Sequence, residues 1–89
     1  MASFEEIFEM RTRPATLKGI WLRLDNGQHV LEAPCDMLLG NAVVQLAALN
    51  EDNFVVDQAA VLFEHGSLDC EVCRKLFQRY GKRLTVAPA

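Results

Sequence analysis

The sequence predicts an α+β domain: an N-terminal helix, a β-hairpin with a short third strand, and then three further helices. Three observations carry that prediction. Ser3-Phe4-Glu5-Glu6 has the form of a capping box, with a hydroxyl at the helix entry and a glutamate three residues on. Asp25-Asn26-Gly27 divides two strand-like segments, and Asn-Gly tolerates the positive φ angles of tight hairpin turns. After Asn41 the apolar residues recur at helical spacing in three blocks separated by polar or glycine-containing breaks.

The first helix places Phe4, Ile7 and Phe8 on one side and ends before Pro14, because a residue that precedes proline avoids the α region. In Leu17–Leu24 the alternation puts Ile20, Leu22 and Leu24 on one face and Trp21 and Arg23 on the other. Gln28–Ala33 is the return strand, stopped by Pro34. Gly40 costs about 1 kcal/mol relative to alanine inside a helix, so Met37–Leu39 reads as a short third strand. Asn41 then caps a helix from Ala42 to about Leu49, with Val43, Leu46 and Ala47 as its buried stripe.

Asn53–Gly66 reads as the second helix of the group. Asp52 or Asn53 stands at its start, Phe54, Val55, Ala59, Leu62 and Phe63 form its apolar face, and Gly66 is its left-handed stop. Ser67 caps the third helix, Leu68 to about Tyr80. Asp69 and Glu71 lie in its first turn and Arg74, Lys75 and Arg79 lie later, the order the helix dipole favours. Gly81 ends it, and Arg83–Pro88 is a last strand. Helix, tight turn, helix, glycine, strand is the order of a winged helix-turn-helix.

Eighty-nine residues with 51% hydrophobic and 24% charged content suit one folded domain, residues 1–89. The longest apolar run, Ala42–Leu49, is interrupted by Gln45 and is far short of the about 20 residues a membrane span requires. Glu5, Glu6 and Glu9 stand where a signal peptide needs apolar residues. With three cysteines, an odd number, these features point to a cytoplasmic location. The net charge of −3 is unevenly spread. Residues 74–89 hold five bases and no acid, whereas residues 1–73 hold all twelve acids against four bases. Arg74, Lys75, Arg79, Lys82 and Arg83 therefore read either as one solvated helix face or as a basic patch for an acidic partner.

Metal and catalytic chemistry find little footing. Cys70-x-x-Cys73 is one ligand pair, but His65, Cys35 and His29 are not spaced as a second, and Cys73 shares the core-side stripe of Leu76, Phe77 and Tyr80. The expectation is no metal and no cofactor. His65 beside Cys70 lacks an orienting third group, so no nucleophile and base are assigned and no enzyme activity is expected.

Residues 19–86 resemble the PqqD-like peptide-recognition domains. The resemblance runs through Gly19-Ile20-Trp21-Leu22-Arg23-Leu24-Asp25, His29-Val30-Leu31-Glu32-Ala33-Pro34 and Leu38-Leu39-Gly40-Asn41-Ala42. Cys35 stands where that family has glutamate, Gly40 breaks its third-strand pattern, and the first helix lies outside the match. The resemblance implies about three strands followed by three helices, and a non-enzymatic adaptor that binds a peptide as an added strand. Its groove would use Leu38 and Leu39 with Arg74, Lys75 and Gln78, and Arg79, Lys82 and Arg83 extend the basic surface toward a peptide or protein of acidic character. The rival readings are a DNA-binding winged helix, with the same third helix in the major groove, and an interaction subunit or phage-type inhibitor. The sequence leaves the oligomeric state open.

Overall fold

The structure, a computed structural model, describes residues 3–87. Its elements in chain order are α1 (Phe4–Glu9), β1 (Pro14–Lys18), β2 (Trp21–Arg23), β3 (His29–Leu31), β4 (Cys35–Leu38), α2 (Leu39–Ala47), β5 (Phe54–Val55), β6 (Ala60–Phe63), β7 (Gly66–Asp69), α3 (Cys70–Tyr80) and a 3₁₀ turn, Gly81–Leu84. The class is α+β, but the expected three-helix winged bundle is not the fold. Among the described residues there are seven strands in two antiparallel sheets, ordered β4-β1-β6-β7 and β3-β2-β5, and three short helices.

The two sheets are halves of the same bent strands. β1 continues into β2, β3 into β4 and β5 into β6, and each pairs with the same neighbour on both sides of the bend. Gly19 makes the bend possible. Its φ is +79°, and a Cβ there would run into the backbone of Gln58 and Ala59 on the neighbouring chain segment. Glu32–Pro34 and Val56–Ala59 turn the outer two strands at the same level.

The expected helix over 53–66 is replaced by β5, β6 and the hairpin β6–β7. Ala59, Val61 and Leu68 are buried. Val61 lies opposite Leu68, so a period of two, not 3.6, aims this segment at the core. Glu64 and His65 form the hairpin loop, and Gly66, at φ +137°, begins β7 rather than ending a helix. Ser67 is likewise a strand residue. Asp69 is the cap of α3, accepting a 2.9 Å hydrogen bond from the Val72 N–H. The strand expected over Leu17–Leu24 covers only the last two residues of β1, whose buried residues are Ala15 and Leu17.

Gly40 lies inside α2, which begins at Leu39; the expected third strand is β4, one residue shorter at that end. A Cβ at residue 40 would overlap the Leu84 carbonyl and press on Arg11, so close approach of the 3₁₀ turn outweighs the helix penalty. Asn41 is not a cap. Its amide accepts from the Val86 N–H at 2.8 Å and donates to the Val86 carbonyl at 3.2 Å, tying down the segment that follows the 3₁₀ turn. The last strand expected over 83–88 is thus a 3₁₀ turn with Leu84 fully buried; Pro88 lies outside the described residues.

The first helix matches its prediction. Ser3 accepts from the Glu6 N–H at 3.2 Å and its hydroxyl meets the Glu6 carboxylate at 3.3 Å. Ile7 is buried, and Phe8 stacks on Tyr80 of α3 with ring centroids 4.3 Å apart. α2 and α3 pack together beside the four-stranded sheet through Leu39, Val43, Leu46, Cys73 and Leu76, all fully buried. No helix of the described residues is long and apolar enough to cross a membrane.

Candidate functional site: an open strand edge

The bases of α3 and the strand edge lie at opposite margins of the sheet. β4 is one edge and β7, which leads into α3, is the other, with β1 and β6 between. Leu38 and Met37 border a shallow groove with Pro14, Ala15, Thr16 and Asp36. Arg74, Lys75 and Gln78 border a different one, shared with Glu51, Asp57, Asp69 and Glu71. The groove that was expected to join the third strand to α3 is therefore absent. Leu39 is fully buried in the core and presents nothing to a partner.

Nor do the five bases form a free positive patch. Arg74 pairs with Glu51 at 3.0 Å, Lys75 with Glu71 at 3.2 Å and Arg79 with Glu5 at 3.3 Å. The Glu51 hydrogen bond holds the Arg74 pKa above its usual value. Arg83 donates to the Tyr80 carbonyl and lies near the Phe8 and Tyr80 rings. Lys82 and Gln78 are exposed. Glu51 and Glu5, far away in sequence, neutralise Arg74 and Arg79, whereas Glu71 lies one turn before Lys75 on the same helix.

The cysteines divide by burial. Cys35 is exposed on β4, whereas Cys70 and Cys73 lie on the core side of α3. Burial pushes the Cys73 thiol up to about 12 and raises that of Cys70. Both thiols thus stay protonated and behave as small apolar groups. His29 and His65 are exposed in hairpins, and no cluster of three metal-ligating side chains occurs among the described residues.

What the sequence reading missed is the character of the hairpin. Every residue from Arg23 to Asp36 is exposed. Among the described residues the exposed large apolar side chains are Leu24, Val30 and Leu31, at 37%, 48% and 53%, all on this hairpin. The backbone at its outer edge is unpaired. Leu24 N–H bonds to the Gln28 carbonyl and Glu32 N–H to the Ile20 carbonyl. In an antiparallel ladder bonded pairs alternate, so Gln28, Val30 and Glu32 face β2 while His29 and Leu31 turn their N–H and C=O outward. The same rule applied to β4, from the Leu39 N–H bond to the Arg13 carbonyl, turns Asp36 and Leu38 outward. β3 and β4 thus offer one bent edge from Gln28 to Leu38. The loop that aims it is a turn in which only Gly27 has positive φ, with Gly27 N–H bonded to the Leu24 carbonyl.

Comparison with protein-family models, curated proteins and solved structures found no match to this chain.

Proposed function

We propose that this chain is a non-enzymatic binding module that takes a peptide or protein partner as an added strand along the β3–β4 edge. The observation that supports it is the coincidence of an unpaired edge with the exposed apolar side chains Leu24, Val30 and Leu31. An unpaired edge supplies main-chain hydrogen bonds, and side chains on alternate positions supply selectivity. Of the residues singled out in the sequence, Leu38 stays in this reading, through its outward N–H. Leu39 leaves it, and Arg74, Lys75, Gln78, Arg79, Lys82 and Arg83 become a flank satisfied largely within the chain. The charges beside the edge, Asp25, Glu32 and Asp36 against Lys18 and Arg23, favour a neutral or mildly basic partner over an acidic one. The likeness to PqqD-like domains survives here only as a mode of binding, an added strand. The DNA-binding alternative loses the winged-helix scaffold on which it rested.

Panning a peptide library displayed on phage against the folded chain tests the reading. Enriched peptides should alternate apolar and polar residues, bind at least tenfold more weakly to Leu31→Asp, and bind unchanged to the double variant Lys75→Glu, Arg79→Glu. Peptides that ignore Leu31→Asp and lose affinity for the α3 variant would overturn it.

A further inference from the structure

Resting on that reading of the β3 edge, we infer that one occupant of the edge is a second copy of this chain, paired β3 to β3 about a twofold axis through Val30. The edge is self-complementary. His29 and Leu31 carry the outward backbone groups, and they are two residues apart. In an antiparallel pairing centred on Val30, His29 of one copy lies opposite Leu31 of the other, twice. Each such pair exchanges two N–H···O bonds, so this register satisfies both outward residues of each copy. An interface of this kind is isologous and closes at two copies.

The side chains agree with that register. Within the chain, Phe54 lies opposite Leu22 and Leu22 opposite Val30 on one face of the sheet. Pairing places Val30 against Val30 of the second copy in the closely spaced, non-bonded position. The row then runs Phe54, Leu22, Val30 and the same three residues in reverse, with no polar break. On the other face Trp21 and Leu31 continue into His29 and Arg23 of the second copy. Gln28 meets Glu32 of the other copy, so no two like charges fall opposite.

The remaining edge shows the contrast. Strand edges are normally defended by proline, inserted charge or a bend. β4 is partly defended: Pro34 stands at its entry, Asp36 puts a charge on it, and Leu38 gives its carbonyl to the first turn of α2. Gln28–Leu31 has no proline, lysine or acid, and Glu32 is the first charge beyond it. Five residues of ladder make a small interface, so association is reversible and concentration-dependent.

Sedimentation velocity of the full chain over about 1 µM to 1 mM reads this directly, since weak small interfaces associate in that range. The wild type should move from monomer to dimer. Val30→Asp and Val30→Lys should each stay monomeric, at least tenfold weaker, because each places two like charges across the axis. An equimolar mixture of the two variants should dimerise again, as opposite charges then meet. Circular dichroism should show both variants folded, since Val30 is half-exposed. A wild type monomeric throughout, or a dimer that survives Val30→Asp, overturns the inference. In the first case edge-binding peptides still sensitive to Leu31→Asp would leave the binding-module reading standing. In either case peptides indifferent to Leu31→Asp would remove that reading as well.

Discussion

The two halves of the bent strands differ in what they bury. Below the bend, β1 and β6 bring Ala15, Leu17 and Val61 into the core beside α2, and one outer strand there, β4, carries Asp36 and runs directly into α2. Above it, β2, β3 and β5 form a three-stranded sheet whose outer strand is exposed along its whole length. The same three strands therefore hold the fold together at one end and offer backbone and apolar side chains at the other. Substitutions on the exposed half should therefore leave the core half's stability largely unchanged.

Leu46 and Leu31 give the sharpest contrast. Leu46 is fully buried between α2 and α3, and Leu46→Ala should cost about 2–5 kcal/mol. Leu31→Ala, on the exposed hairpin, should change stability by less than about 0.5 kcal/mol. Urea unfolding of both variants checks the pair, and equal losses would erase the distinction between the halves.

Gly40→Ala is next. The added methyl meets the Leu84 carbonyl, a backbone atom that cannot rotate away, so a loss of about 1–3 kcal/mol is expected despite alanine's higher helix propensity. A gain in thermal stability would show that the 3₁₀ turn does not press on α2.

The buried thiol supplies a pH test confined to the core half. Cys73 is held protonated to about pH 12 in the fold, whereas an exposed thiol ionises near 8.5–9. The unfolded state therefore binds fewer protons above that range. The contribution of Cys73 is fully present below about pH 8.5 and is lost as pH rises toward 12, at up to about 1.4 kcal/mol per pH unit. Unfolding free energies of wild type and Cys73→Ala should converge between pH 9 and pH 11. A constant gap would mean that the thiol is not buried.

The smallest effect belongs to the basic helix face. Arg79→Ala and Lys75→Ala break exposed pairs with Glu5 and Glu71, and each should cost at most about 1 kcal/mol, less at high salt. Losses larger than for Gly40→Ala would place structural weight where the geometry shows a solvated flank.

Some of this was legible in the sequence because it is local. The Ser3–Glu6 box, the Asp25-Asn26-Gly27 turn, the apolar stripe of Cys73, Leu76, Phe77 and Tyr80, and the stop at Gly81 each depend on a few neighbouring residues. Residues 53–66 were misread because Phe54, Val55, Ala59, Leu62 and Phe63 fit helical spacing as well as Ala59 and Val61 fit a strand. A tertiary partner, β1, decides between the two, and β1 itself is a short strand with a proline at its head. Gly40 looked like a strand signal, whereas its cause lies 44 residues away at Leu84. The surroundings of the expected site residues were hidden for a related reason. The run of bases near the C-terminal end suggested a patch, but its counter-ions come from residues 5, 51 and 71. Only the outward N–H of Leu38 carries over, and the exposed half of the hairpin followed from Gly19, which sends it away from the core.

Amide hydrogen exchange read residue by residue, with and without a saturating edge-selected peptide, tests the central claim most directly. In the free, dilute chain the N–H groups of His29 and Leu31 should exchange quickly and those of Leu22 and Val30 more slowly, because only the latter pair are bonded within the sheet. Peptide should protect His29 and Leu31 and leave Arg74–Arg83 unchanged. Protection confined to α3, with His29 and Leu31 still exchanging freely, would contradict the account.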